Sequence, residues 1–137
     1  MKSFLLFTLL SSSALFAHTL TVNISNIANS RGDILIGLYN NASSFIIIDR
    51  VYRKGKIELS KQNISSYIFK NIPDGTYAIS LFHDENSNNE LDENFLGIPK
   101  EGYGFSNNIR PALRGATFEE AGFKLNRDIN LTIEMGY

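Results

Sequence analysis

The amino-acid sequence predicts an all-β domain, an antiparallel β-sandwich of about seven strands with one long ordered loop. Apolar residues alternate with polar ones at a period of two in most segments after residue 17, which is typical of half-buried strands. Short sequences rich in Gly, Pro, Asn and Asp separate these segments and provide turns. Seven short strands with such turns in roughly a hundred residues favour two packed antiparallel sheets.

The beginning of the chain predicts export. Residues 1–17 contain a basic residue, a short apolar run and then small residues, the pattern of a secretory signal peptide. A core helix is the alternative, but the segment is not amphipathic and its apolar run is too short to span a bilayer. Cleavage after Ala17 leaves His18 at the mature N terminus, although cleavage after Ala14 also satisfies the small-residue rule. We therefore expect one domain, residues 18–137, in the periplasm or secreted.

The composition limits how the domain can be stabilised and what it can bind. The chain has no cysteine, which excludes a disulfide framework and a lipid-modified cysteine. It has 13 basic and 14 acidic residues, and this near-balance gives no reason to expect nucleic acid or an anionic membrane as a partner. A second long apolar segment is absent from the sequence, so we expect no membrane insertion.

Seven strands are predicted, and the apolar alternation is longest in 20–24, 34–38 and 129–135. They lie at residues 20–24, 34–38, 57–59, 67–69, 77–82, 123–125 and 129–135, with turns at 30–33, 54–56, 73–75 and 126–128. Residues 45–48 fit either a short helix that covers one end of the sandwich or a bent edge strand. Residues 83–118 have no sustained period, but their aromatic residues predict an ordered and functional loop rather than a disordered one.

The start of this long loop carries oxygen-bearing side chains at alternate positions. Counting from Asp84 as position 1, positions 3, 5, 7 and 9 hold Asn86, Asn88, Glu90 and Asp92. Calcium takes about six to eight oxygen ligands, and a short loop can supply them from these positions. Five acidic residues and no Lys or Arg occur between residues 84 and 93, so their charges repel unless a cation lies between them. The sequence therefore predicts a calcium site on these five residues.

The match to a calcium-loop template is partial. Position 6, normally glycine, is Asn89, a residue that tolerates the left-handed backbone, and position 12, normally a bidentate glutamate, is Phe95. Glu93, Asn94 or a carboxylate from elsewhere would have to complete the shell, and we expect weak binding with Kd roughly 10⁻⁴ to 10⁻³ M. The alternative is a solvated polar turn without metal, because Asn, Asp and Ser readily bond their own backbone.

Two longer segments carry a family resemblance. Residues 72–86 read IPDGTYAISLFHDEN and residues 94–108 read NFLGIPKEGYGFSNN. Together with FEEA at 118–121, they resemble a family of small exported bacterial proteins known as domain of unknown function 2141, whose loop usually reads Asp-x-Asn-x-Asn-Gly-x-Leu-Asp. The turn at 73–77 is also similar to that of prealbumin-like and collagen-adhesin repeat sandwiches, some of which carry calcium. These resemblances imply an immunoglobulin-like or prealbumin-like sandwich and no particular activity.

Catalytic constellations are sparse in this sequence. A histidine-dependent base would have to be His83, and Ser106 lacks the second glycine of a nucleophile elbow. A pair of Ser106 and His83, or the paired carboxylates Asp84 and Asp92, would make the protein a small periplasmic hydrolase with its site in residues 83–118. We keep this hydrolase as the alternative function.

The second half of the loop favours binding. Tyr103, Phe105, Asn107 and Asn108 combine flat apolar faces with paired amide donors and acceptors, which suits a carbohydrate, a peptide or an envelope protein. The alternative is that the aromatic rings cover the open end of the sandwich while the asparagines form turns. The sequence thus predicts an exported, non-catalytic binding or envelope-associated module with a calcium-organised loop and an unidentified ligand.

Overall fold

The computed structural model describes residues 16–60 and 65–137, so the predicted signal peptide lies almost wholly outside the described residues. Within these ranges the chain forms eight strands and almost no helix, which confirms the all-β prediction. The strands are β1 Ala17–Ser25, β2 Asp33–Tyr39, β3 Arg53–Glu58, β4 Ser66–Pro73, β5 Gly75–Asp84, β6 Tyr103–Phe105, β7 Phe123–Leu125 and β8 Ile129–Glu134. One short helix, α1, spans Phe118–Ala121, and 3-10 turns span Ile48–Arg50 and Ser106–Asn108.

The strands form two sheets that pack as a sandwich. One sheet has the order β4-β1-β8 and the other has the order β3-β2-β5-β6, with β7 paired to the first residues of β5. All described pairs are antiparallel except β1 and β8, which run parallel from Leu20 opposite Ile129 to Ser25 opposite Glu134. The predicted antiparallel sandwich is thus confirmed, with one parallel pair in the smaller sheet. The chain reaches β8 by passing from β7, which pairs with β5, to the sheet that contains β1.

The core lies between the two sheets and follows the predicted alternation. Alternate residues of β1, β2 and β5 point into it, while the residues between them lie on the outer faces. Burying each such aliphatic side chain contributes about 1.5–3 kcal/mol, so this alternation fixes the register of the sheets. The buried residues of the core are Leu20, Val22, Ile24, Ile34, Ile36, Leu38, Ile57, Phe69, Ile72, Tyr77, Ile79, Leu81, Leu125, Ile133 and Met135.

A second, smaller cluster lies on the outer face of the larger sheet. Tyr39 and Ala78 are register partners on that face, and Phe45 packs on them with its ring edge-on to Tyr39 at 5.3 Å. Phe45 belongs to a series of turns before the 3-10 turn Ile48–Arg50, so the edge-strand interpretation of residues 45–48 is wrong. The segment instead covers the outer face of the larger sheet through Phe45, whereas the other interpretation expected a short helix over one end of the sandwich.

The long loop is ordered and contains a strand that the sequence did not predict. Strand β6 pairs with β5, with Phe105 opposite Ser80 and Tyr103 opposite Phe82. Between them Gly104 faces the core, where an added Cβ would lie 2.8 Å from a methyl carbon of Ile133. The 83–118 segment therefore begins and continues as part of the larger sheet.

Among the described residues no helix is long and apolar enough to cross a membrane.

The polar loop and the adjoining cleft

Two neighbouring strands position the start of the polar loop, residues 84–101. Asp84 is the last residue of β5 and is fully buried, and its register partner on β2 is the buried Asp33. Like charges directly opposite each other are unfavourable in a sheet. Here Asp33 receives a hydrogen bond from the Ser87 hydroxyl (3.2 Å) and lies 3.5 Å from the Lys56 ammonium, which offset that repulsion. The carboxylate of Asp84 is thus directed at the loop itself.

Asp84 closes the turn of the polar loop. Its two carboxylate oxygens accept hydrogen bonds from the backbone N–H groups of Asn88 at 3.1 Å and Asn89 at 2.7 Å. Asn89 has φ +63°, the left-handed backbone that asparagine tolerates and that position 6 of the calcium template requires. Gly32 allows the loop to pass close by, since a Cβ there would lie 2.0 Å from the Asp84 carbonyl oxygen. The tight turn therefore forms without glycine at position 6.

Three other predicted ligands meet above this turn. The side-chain amides of Asn86 and Asn88 donate to the two carboxylate oxygens of Asp92, at 2.5 and 2.8 Å. The side-chain oxygen of Asn88 accepts from the backbone N–H of Glu90 at 3.0 Å, while the Glu90 residue is exposed. Four of the five predicted ligand side chains are thus directed into one loop. In calcium loops position 7 contributes its backbone carbonyl, so an exposed Glu90 side chain is compatible with the template.

Glu101 is a member of this group that the sequence did not reveal. It is 7% exposed, and its carboxylate accepts from the backbone N–H groups of Glu85 at 2.9 Å and Asp92 at 3.4 Å. The side chains of Glu101 and Asp92 are also hydrogen-bonded to each other. Burial, followed by this contact, raises the pKa of Glu101 to about 7, and the same contact lowers the pKa of Asp92. Two carboxyl groups in contact repel each other when both are ionised, and a proton or a cation between them relieves that repulsion.

The side chains of the polar loop are chemically suited to a hard cation, but they are not arranged as a preformed metal site. Within residues 16–60 and 65–137, no three side chains from His, Asp and Glu come together as a preformed metal-binding group. The loop nevertheless directs the carboxylates of Asp84, Asp92 and Glu101 and the amide oxygens of Asn86 and Asn88 toward its interior, where they now bond backbone and side-chain N–H groups. These are oxygen donors of the kind that calcium takes, so a cation would replace hydrogen bonds that the loop makes within itself.

A cleft of about 400 Å³ lies on the other side of the long loop, between β6 and the end of β8. Two of the four predicted ligand-binding residues, Phe105 and Asn108, line it together with Arg110 and Tyr137. The Arg110 guanidinium stacks over the Tyr103 ring at 4.6 Å and donates to the Tyr103 carbonyl at 2.7 Å. This places a cation and an aromatic face at the rim of the cleft.

The predicted ligand-binding residues also have structural contacts. Phe105 is buried in the second cluster, and Tyr103 is half-buried beside it. The Asn107 amide donates to the carbonyls of Glu120 and Gly122 at 3.1 and 2.9 Å. The Asn108 side chain accepts from the N–H of Glu134 at 2.9 Å. These contacts are of the kind that the structural alternative expects, and the ligand-binding role of the four residues stays a prediction.

The candidate pair of Ser106 and His83 is not assembled. The buried Ser106 hydroxyl donates to the Ala121 carbonyl and accepts from the Ile79 backbone N–H at 2.9 Å. His83 is fully buried, and its ring nitrogens contact the Tyr137 hydroxyl at 2.8 Å and the Arg31 carbonyl at 2.6 Å. Both side chains fasten loops to the sandwich, so this pair gives the hydrolase alternative no support.

An exposed apolar tip, residues 94–99, projects from the polar loop. The Asn94 side-chain oxygen accepts from the N–H groups of Leu96 at 2.9 Å and Ile98 at 3.1 Å, which folds the tip on itself. Phe95 is 96% exposed and Leu96 is 69% exposed. Apolar side chains grouped in solvent are a feature of surfaces that contact a partner.

Comparison with protein families agrees with the motifs. The family model described as "Uncharacterized protein conserved in bacteria (DUF2141)" matches residues 22–133. The chain belongs to this family. The DUF2141 match extends from β1 to β8 and includes the whole polar loop, so the predicted membership is confirmed. No curated protein and no solved structure matched the chain.

Proposed function

We propose that this protein is an exported, non-catalytic binding module in which calcium organises the polar loop and so fixes the surface beside it. The leader-like residues 1–17 support export to the periplasm or beyond. The ligand is a carbohydrate, a peptide or an envelope protein that contacts the cleft near Tyr103 and Asn108.

The contact between Glu101 and Asp92 is the observation that carries the calcium proposal. The calcium template demands a carboxylate that the sequence lacks at position 12. Glu101 supplies a buried carboxyl group at the base of the loop, bonded to position 9 and to the backbone N–H of Glu85. A divalent cation between these carboxylates would replace a shared proton and remove the repulsion between them.

The position of the polar loop supports a link between calcium and binding. Only Gly102 separates its last residue, Glu101, from β6, and β6 forms one wall of the cleft. A loop fixed by a cation would therefore fix the start of β6, the Tyr103 ring and the Arg110 that stacks on it. The apolar tip lies between residues 84–92 and Glu101, the two parts of the loop that supply the proposed calcium ligands. Its exposed apolar side chains support an envelope-associated role.

Thermal unfolding with metal tests the proposal. The mature chain should melt at a higher temperature in millimolar Ca²⁺ than in chelator, because a ligand that binds only the folded state stabilises it. Mg²⁺ should give a smaller shift, since it demands octahedral geometry and loses water reluctantly. Glu101→Gln should abolish the calcium shift, whereas Glu119→Gln, an exposed change away from the loop, should retain it. An unchanged melting temperature of the wild-type chain in Ca²⁺ would remove calcium from the proposal.

A further inference from the structure

We infer that the processed N terminus forms a copper(II) site in which the α-amino group and imidazole of His18, together with the Asp128 carboxylate, are the ligands. The inference rests on cleavage after Ala17, which is part of the proposed function, and it concerns the end of the sandwich opposite the polar loop. Asp74 has a separate role as the residue that orients the His18 ring.

Three chain segments meet at this end of the sandwich. His18 lies at the start of β1, Asp74 lies in the turn between β4 and β5, and Asp128 lies in the turn between β7 and β8. The polar loop begins at the far end of β5, after Asp84, so the two sites are separated by the length of that strand. No other part of the proposed function uses these three residues.

The contacts around the His18 ring differentiate its two nitrogens. Nδ1 lies 3.9 Å from a carboxylate oxygen of Asp128, and the same oxygen accepts the backbone N–H of Thr19 at 2.8 Å. Metal bonds to imidazole nitrogen and carboxylate oxygen are each about 2.0–2.2 Å long, so one ion can contact both atoms across this gap. The bond to Thr19 holds the Asp128 carboxylate beside the backbone of residue 18, where cleavage would create the α-amino group.

The other ring nitrogen is already occupied. His18 Nε2 is hydrogen-bonded to the Asp74 carboxylate, and the His18 side chain is only 13% exposed. A histidine that binds metal through one nitrogen usually donates its other N–H to a carboxylate, which fixes the tautomer and the ring orientation. With Nε2 bonded to Asp74, the neutral tautomer that donates Nε2–H presents an unprotonated Nδ1 on the side of Asp128. In this tautomer Nδ1 has the lone pair that a metal requires.

The processed end supplies a third ligand, which is a backbone group and not a side chain. The described side chains include no group of three potential metal ligands from His, Asp and Glu, and here only two of them bind directly. A free α-amino group on His18 closes a chelate ring with Nδ1 of the same residue. Two nitrogen donors and a carboxylate oxygen suit tetragonal Cu(II), which also has the highest affinity among the divalent first-row metals for such a site.

Copper titration of defined chains tests the inference. The full-length chain is exported, and its intact mass is measured to locate the cleavage site. The chain that begins at His18 is then titrated with Cu(II) and followed by electron paramagnetic resonance. We expect one equivalent bound with an axial spectrum that shows nitrogen coupling. Asp74→Asn should weaken binding by about 10- to 100-fold. A short Gly-Ser extension before His18, which moves the α-amino group away from the ring, should weaken it further.

Two results would overturn the inference, and they have different meanings. Export with cleavage at another position would remove the site together with that part of the proposed function. Cleavage after Ala17 with equal copper affinity of the mature and extended chains would mean that His18 makes ion pairs only, while export and calcium binding would be unaffected. Melting temperatures of each variant without metal serve as the folding control, and Asp49→Asn, at an exposed carboxylate outside both proposed sites, is the matched charge control.

Discussion

The carboxyl groups of Asp92 and Glu101 are hydrogen-bonded to each other at the base of the polar loop. Because Glu101 is buried, the pair retains one proton to an unusually high pH, with the pKa of Glu101 raised from 4.5 to about 7. Below about pH 7 a proton therefore joins the two carboxyl groups at the base of the loop, and above that pH this hydrogen bond is lost. This makes its stability sensitive to both pH and cations.

The first prediction concerns pH. Since the unfolded chain loses the Glu101 proton near 4.5 and the folded chain near 7, the folded state binds more protons between these values. Stability in chelator should therefore fall as the pH rises from about 5 to about 7.5, and Ca²⁺ should reduce this fall by replacing the proton. Melting temperatures at constant ionic strength measure it. Glu101→Gln should flatten the profile in chelator, and a variant with the wild-type slope would contradict this assignment.

The second prediction concerns the residue that closes the turn. Asp84→Ala removes the acceptor of two backbone hydrogen bonds from a fully buried position, so it should lower the free energy of unfolding by about 2–5 kcal/mol. Urea denaturation of the metal-free protein measures this loss. Glu90→Ala removes an exposed carboxylate from the same loop and should change stability by about 0.5 kcal/mol or less. Equal effects of the two substitutions would show that the Asp84 hydrogen bonds do not hold the turn.

The sequence predicted where the polar loop lies but not all of the residues that meet in it. Spacing alone placed Asp84 and Asn89 at the two ends of one turn, because these residues are close in the sequence, while the role of Asp84 as a metal ligand stays a prediction. Glu101 reaches Asp92 only after the chain has folded back through the apolar tip, a path fixed by the bridge between Glu93 and Pro99. No periodicity in the sequence encodes that return.

Six of the seven predicted strands were located because large apolar residues recur at alternate positions in each. The predicted turn at 54–56 is wrong: these residues lie inside β3, an edge strand that buries only Ile57 and whose exposed basic residues give no strand-like alternation. Strand β6 escaped because the only residue it directs into the core is Gly104, while Tyr103 and Phe105 lie on the outer face. The direction of β8 was equally hidden, since the same alternation serves a parallel or an antiparallel neighbour. The sequence pattern therefore predicts which residues are buried better than it predicts which strand lies beside which.

The third prediction concerns α1, whose first turn carries a capping box. The Thr117 side chain accepts the backbone N–H of Glu120 at 3.2 Å, and the Glu120 carboxylate accepts the backbone N–H of Thr117 at 3.2 Å. Thr117→Ala should reduce stability by about 0.5–2 kcal/mol, and Thr117→Ser should restore most of it. Chemical denaturation of both variants measures the difference. A serine variant as unstable as the alanine variant would indicate that the methyl group, and not the hydroxyl, matters.

The last prediction concerns the unpredicted strand itself. Gly104 has no room for a side chain, because a Cβ would lie 2.8 Å from the Ile133 side chain and 3.0 Å from the Glu134 carbonyl oxygen. Gly104→Ala should therefore push β6 away from β8 and cost about 1–3 kcal/mol. Gly115→Ala is the matched control, since its Cβ would meet only the flexible end of the Ile46 side chain at 3.0 Å. Because β6 also forms one wall of the cleft, Gly104→Ala should speed amide hydrogen exchange at Phe105 and Tyr103. Unchanged exchange at these two residues would show that β6 does not depend on close contact with β8.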